Sequence, residues 1–256
     1  MQQAEGGLRW RFLRKTGEQR LPCGTNSIFQ VSLTPVDEKG HPGADTLIIV
    51  ESTGSFFGAD WRKLLAELSP GDSVLLEMPV DSVTFMRSYL EKFQHHEKVK
   101  ATLVVRQCQD AEVFFEEKER YNESMRIKAY LEFDSIVRRW KDGKLVGRGA
   151  LIAWSQGGKG RFFRFGDPVR VYMLITTLRG ESFYQSPARG DTLEVYDGSF
   201  VLGLHEALTG LKAGDTACIY LPYFLAFGEE GNRPYVKPFQ NICILIRAQP
   251  LWSTQP

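Results

Sequence analysis

The sequence predicts an α+β protein of two similar domains, each a bent antiparallel sheet wrapped on a short helix, joined by a charged connector helix. Three observations predict it. Apolar residues alternate with period two in short runs through both ends of the chain. The stretch between them has helical spacing and no proline or glycine. A helix-turn-strand segment occurs twice at a fixed offset.

In the first half, strands are expected at 27–34, 46–50, 73–78 and 101–106, with a short apolar helix at 61–68 that ends on Pro70-Gly71-Asp72. Residues 111–139 then space Val113, Phe114, Tyr121, Met125, Ile127, Tyr130, Leu131, Phe133, Ile136 and Val137 among charges, as a helix does. Lys141-Asp142-Gly143-Lys144 is turn-forming and stops it. Gly157-Gly158-Lys159-Gly160 reads as a hairpin turn, because a phosphate loop needs Ser or Thr where Gly160 stands. Strands follow at 169–176, 192–195, 216–221 and 242–247, with a second short apolar helix at 204–211. Residues 64–72 (LLAELSPGD) parallel 207–215 (ALTGLKAGD), and the same offset relates Met78 to Leu221 and Pro79 to Pro222. The expected divisions are a domain at 1–109, a connector at 110–144, a domain at 145–250 and a tail at 251–256.

Composition narrows the function. With 256 residues, 43% of them hydrophobic, the chain can form the cores of two ordinary domains. Lys and Arg number 32 against 31 Asp and Glu, so no long-range field draws it to nucleic acid. No run approaches the ~20 apolar residues of a spanning helix, and residues 1–7 lack a basic-then-apolar leader pattern; a removed leader or anchor would leave the same picture. Cys23, Cys108, Cys218 and Cys243 show no ligand spacing, which argues against structural zinc. They read as buried small hydrophobes, with a disulfide left open by the even count. His95-His96-Glu97 reads as a solvated insert rather than a metal site, and His205 has no nucleophile or carboxylate at catalytic spacing. Asn122-Glu123-Ser124 fits a glycosylation sequon, which says nothing without a compartment.

In the second half five motifs stand in order: Gly166-Asp167 and the strand after it; Gly180-Glu181-Ser182-Phe183; the segment 203–215 (GLHEALTGLKAGD); Leu221-Pro222-Tyr223-Phe224-Leu225-Ala226-Phe227-Gly228-Glu229; and Lys237-Pro238 before the last strand. Through them this half resembles the FKBP family of peptidyl-prolyl isomerases over nearly its whole length. The first half resembles the same fold more weakly, with Trp61 where many members place the tryptophan under the substrate proline. Two divergent repeats joined by a charged helix resemble periplasmic FKBP-type lipoproteins of the Bacteroidetes kind, which implies a periplasmic or outer-membrane-anchored folding factor or chaperone.

X-Pro isomerisation must cross a barrier of roughly 18–20 kcal/mol set by amide resonance. A site lowers it by desolvating the imide and gripping its twisted form, so no metal, cofactor or nucleophile is required. The resemblance places Phe183, Phe200, Val201, Leu204, Phe227, Val236 and Ile244 as walls of one substrate concavity, with Tyr184 and Met173 at its rim. It also shows departures. Tyr184 stands where the family has aspartate, Phe227 where it has tyrosine, and Leu204 where it has tryptophan; Met173, or Tyr172 after a one-residue slip, stands at the family's strand tyrosine. Losing two or three hydrogen-bonding groups, each worth about 0.5–1.5 kcal/mol, weakens grip while leaving apolar attraction. The expected function is binding of unfolded or proline-containing polypeptide with isomerase catalysis weak or absent. A fully competent prolyl isomerase and an adaptor subunit of an envelope secretion complex stay open.

Overall fold

The computed structural model describes residues 2–3, 8–16, 26–36, 41–52, 63–79 and 98–252. Trp61, Gly24 and the His95-His96-Glu97 insert lie outside them. The chain divides into two compact units, Met1–Glu119 and Arg120–Pro256.

In the first unit, β1 (Gln2–Gln3), β2 (Arg9–Arg14), β3 (Ser27–Val36), β4 (Thr46–Glu51), β5 (Ser73–Pro79) and β6 (Lys98–Asp110) form one sheet in the order β1-β2-β5-β6-β3-β4. Every pairing is antiparallel. A helical turn at 63–65 precedes β5. Leu64, Leu65 and Leu68 join Trp10, Phe29, Leu33, Leu76 and Leu103 in one buried core.

Helix α1 runs Ala111–Arg139, the bounds its sequence predicts. Asp110 starts it: its Oδ1 accepts the amides of Glu112 (2.8 Å) and Val113 (3.4 Å), two of the donors that a helix start leaves unpaired. The unit boundary falls inside this helix, and its later turns are bonded into the second unit. Asn241 donates its amide to the Ala129 carbonyl (2.8 Å) and to Glu132 (2.9 Å), and Arg126 forms a two-pronged pair with Glu229.

The second unit contains β7 (Lys144–Val146), β8 (Ala150–Gln156), β9 (Pro168–Thr177), β10 (Ser182–Gln185), β11 (Asp191–Glu194), helix α2 (Leu202–Thr209), β12 (Thr216–Leu221), a 3-10 turn (Tyr223–Leu225) and β13 (Ile242–Pro250). Its order is β10-β9-β13-β12-β8-β7, with β11 also paired to β9. Read in reverse this is the order of the first sheet, with β8, β12, β13 and β9 in the places of β2, β5, β6 and β3. Helix α2 lies against β7, β8 and β12 and buries Leu204, Ala207 and Leu208 into the core with Leu211.

Two expectations change. Gly157-Gly158-Lys159-Gly160 is not a hairpin turn, since β8 and β9 are separated in the sheet by β12 and β13; the segment is a loop whose Gly158 amide bonds Asp215. Cys108 is disulfide-bonded, whereas Cys218, buried, and Cys243, half-buried, remain free thiols on the paired strands β12 and β13 with their sulfurs 3.7 Å apart. Strands β1, β2, β7, β8 and β10 also go beyond the sequence reading.

Candidate functional site

All nine side chains singled out from the sequence belong to the second unit's hydrophobic core or pack against it. Met173, Leu204, Val236 and Ile244 are members of that core, which counts 23 buried residues among those described, and Phe183, Tyr184, Phe200, Val201 and Phe227 are partly buried against it. Phe183 meets Phe227 edge to face with ring centroids 5.9 Å apart, and Tyr184 meets Phe200 the same way at 6.1 Å. Such pairs add about 0.5–1.5 kcal/mol to the burial of the rings.

Local backbone features set these positions. Phe183 and Tyr184 are consecutive, and in a regular strand they would face opposite sides of the sheet. The pairing of β10 with β9 shifts register between Ser182 and Tyr184, and this bulge lets both rings pack on the same core. Phe200 and Val201 sit at the entrance of α2, whose first turn drops Leu204 to the floor with none of its surface exposed. Phe227 follows the 3-10 turn. That turn is held by the Tyr223 amide on Asn241 Oδ1 (2.9 Å) and closed by the Gly228 amide on the Tyr223 carbonyl (2.8 Å). Asn241 thus ties α1 to the turn that carries Phe227, a role with no motif to announce it.

Met173 is corrected from rim to core. Along β9, Val169, Val171, Met173, Ile175 and Thr177 face inward and are buried, while Arg170, Tyr172 and Leu174 alternate outward. Tyr172 therefore faces away from the cluster, and neither alignment brings a tyrosine of this strand to it.

Polar chemistry at the cluster comes from a residue outside the motif. The Tyr184 hydroxyl donates to Asp191 Oδ2 (2.9 Å), Ser186 donates to the same oxygen, and Ser186 Oγ accepts the Met173 amide (3.0 Å). Burial, then the neighbouring Asp191 carboxylate, pushes the Tyr184 hydroxyl above its ordinary pKa, so it stays a protonated donor. A carboxylate, Asp191, thus stands beside Tyr184 because β10 and β11 both pair with β9.

On the other side of Leu204, the buried His205 Nδ1 accepts the amide of Tyr196 (2.9 Å), a residue held at a positive φ of 71°. Its Nε2 is buried with no hydrogen-bond partner and lies 3.7 Å from Asp197 Oδ1. The ring stacks on Tyr196, which stacks on Phe165. Burial lowers the His205 pKa and Asp197 opposes it. His205 is a positioning residue for the turn that leads to Phe200. Among the described residues, no cluster of three or more His, Cys, Asp or Glu is placed to hold a metal.

Two cavities flank α1. One, of about 540 Å³, lies between α1 and the Pro222–Phe224 region, and the other, of about 430 Å³, lies between α1 and the loops before Phe183 and around Val236.

Residues 160–246 match the family model described as FKBP-type peptidyl-prolyl cis-trans isomerase. Similar curated proteins include the peptidyl-prolyl cis-trans isomerase FKBP10 of Homo sapiens, 36% identical over 80 residues that make up 30% of this chain and 14% of that one. Another is the FKBP-type peptidyl-prolyl cis-trans isomerase FkpA of Buchnera aphidicola, 26% identical over 114 residues, 44% of each chain. The chain thus spans well under two thirds of the length of these relatives. Among solved structures, the peptidyl-prolyl cis-trans isomerase of Pseudomonas syringae aligns at a TM-score of 0.42 and 20% identity, over 50% of this chain and 95% of that one. The three FKBP domains of wheat FKBP73 align at 0.38 and 12%, over 96% and 95%. The architecture rests on the strand order above rather than on these likenesses. The second unit carries an FKBP-type peptidyl-prolyl isomerase domain.

Proposed function

We propose that the second unit binds apolar, proline-containing segments of unfolded polypeptide in the cluster around Phe183 and Phe227, and that it catalyses X-Pro isomerisation weakly. One observation carries this reading: partly exposed aromatic rings pack against the core that contains Leu204 and Ile244, while the hydroxyls of Tyr184 and Ser186 are both committed to Asp191. The rings exclude water from a bound imide, which favours its less polar twisted state. A hydroxyl already donating to Asp191 has no proton left for a peptide carbonyl, so the grip on the twisted form is weaker than the grip on the apolar side chain.

The cellular setting we infer is periplasmic or outer-membrane-anchored, as a folding factor like the Bacteroidetes FKBP-type lipoproteins that the repeat arrangement resembles. The Cys108 disulfide supports an oxidising compartment. A second reading, an adaptor subunit of an envelope secretion complex, is favoured by the 540 Å³ groove, where Ile127, Tyr130, Leu131, Leu145 and Phe224 are each more than half exposed. Co-purification of one envelope partner, unaffected by Phe183→Ala, would select it.

Refolding of a proline-limited substrate tests the leading reading. The expected result is client binding, a slow refolding phase only modestly accelerated, and loss of both in Phe183→Ala. Rapid catalysis abolished by Phe183→Ala would make this a competent isomerase. Client binding untouched by the substitution would move function away from the cluster.

A further inference from the structure

The 430 Å³ cleft is built by three segments: α1, the turn between β9 and β10, and the loop before β13. Two of these segments also carry the candidate site. Arg179 and Glu181 line the cleft a few residues before Phe183, and Lys237 lines it immediately after the buried Val236. The cleft and the aromatic cluster are therefore two ends of the same two loops. A client residue within about four positions of the bound one reaches from one to the other, at about 3.3 Å per extended residue.

The charges in the cleft are unbalanced. Lys128, Arg179 and Lys237 line it and form no ion pair among the described residues. Of the two carboxylates, Glu132 accepts the Asn241 side-chain amide (2.9 Å), and Glu181 stands without a cationic partner. Three cations without ion pairs among the described residues thus face two carboxylates, of which one is held by Asn241, and the lining keeps a net positive charge, with Tyr235 and Phe239 as apolar wall. Cations on exposed stems keep their hydration until an anion arrives, and a cleft focuses their field beyond what a flat surface gives.

We propose that this cleft binds an acidic side chain of the client, within about four residues of the segment held by the aromatic cluster, so that the protein prefers proline segments flanked by Asp or Glu. The inference rests on the proposed binding role of Phe183 and Phe227 and names the substrate class for it. Lys128, Arg179 and Lys237 attract the client carboxylate; Glu132 and Glu181 oppose it and limit the preference.

The test uses fluorescent proline-containing peptides bearing Glu, Gln or Lys two residues before or two residues after the proline, titrated with the full chain. In at least one position the Glu peptide is expected to bind about three- to ten-fold tighter than its Lys counterpart at low salt, the sum of two or three modest charge pairs. The difference should shrink at about 0.5 M salt, where charges are screened within a few ångströms. Lys128→Gln, Arg179→Gln and Lys237→Gln together should remove the preference while leaving the Gln peptide's affinity unchanged, which also reports that the variant is folded. Glu181→Gln should enlarge the preference. Equal binding of Glu and Lys peptides at low salt, with both lost in Phe183→Ala, would overturn the acidic cleft and leave the aromatic site standing. Binding of no peptide at all would overturn the aromatic site and the cleft with it.

Discussion

Asp72 in the first unit and Asp215 in the second occupy the same point of the repeat and make the same bonds. Each carboxylate is buried and accepts the amide of the residue three before it, Ser69 or Lys212, on one oxygen. The other oxygen takes the Thr16 amide and hydroxyl in the first unit and the Gly158 amide in the second. The glycine before each aspartate holds a positive φ, 92° and 94°, and donates to Val105 or Ala248 of the last strand. The scaffold turn is thus repeated almost bond for bond, but among the described residues the aromatic cluster is not. Where Ile244 stands opposite Ile175 in the second sheet, Ala101 stands opposite Pro35 in the first. Among the described residues, Phe12 is the one partly buried aromatic side chain packed on the first core, against Phe183, Tyr184, Phe200, Phe227 and Trp252 on the second. Among the described residues, the turn that closes the sheet is present twice, whereas partly buried aromatic side chains gather on the second core.

The comparison breaks if the two aspartates are not equivalent in energy. Asp72→Ala and Asp215→Ala are each expected to destabilise their own unit by about 2–5 kcal/mol, because each leaves two or more buried donors unpaired. Urea unfolding should show Asp72→Ala at least as severe, since its carboxylate holds three donors rather than two. A next, smaller effect separates site from scaffold. Phe183→Ala should weaken client binding by about 1–3 kcal/mol through lost apolar contact and leave the first unit's unfolding unchanged. Smaller still, Tyr184→Phe should cost about 0.5–1.5 kcal/mol of stability, since Asp191 keeps its bond from Ser186. If Tyr184→Phe instead lowers any measured isomerase rate by tenfold or more, the hydroxyl acts on substrate and not only on Asp191.

The smallest expected effect is pH dependence in the second unit. Burial holds the His205 pKa below the ordinary value of about 6.5. As pH falls through about 6.5, the unfolded chain takes up a proton that the folded unit resists, so stability is full above this range and declines below it. Protonating Nδ1 would also set two donors against each other at the Tyr196 amide. The difference in midpoint between wild type and His205→Asn should therefore shift as pH falls from about 7 to about 5, with the variant less sensitive; an unchanged difference would remove His205 as the cause.

Strand positions, the long helix and the repeat were legible because they depend on local rules. Period-two alternation marks 216–221 as a strand whatever its partner, and Asp110 caps α1 through amides two and three residues away. The duplicated turn was legible for the same reason, since a buried Asp three residues after an amide donor is a local bond. Met173 and Tyr172 could not be separated from sequence, because a one-residue slip exchanges the two faces of a strand and the register is fixed by β13. Asp191 gave no sign: its approach to Tyr184 depends on two strands pairing with the same neighbour. Asn241 is similar, a single side chain that acts only because α1 passes over it.

By itself the sequence determined that the chain is built from two related α+β units with a helix at 111–139 between their sheets, and which apolar residues the second core would gather. The tertiary structure alone decided which polar groups meet there: Tyr184 with Asp191, His205 with the Tyr196 amide, and Asn241 with both α1 and the turn before Phe227. Apolar burial is non-directional and survives small errors of register, so composition and periodicity suffice to foresee it. A hydrogen bond requires two particular atoms within about 3 Å, a condition that only the completed packing of distant segments can meet.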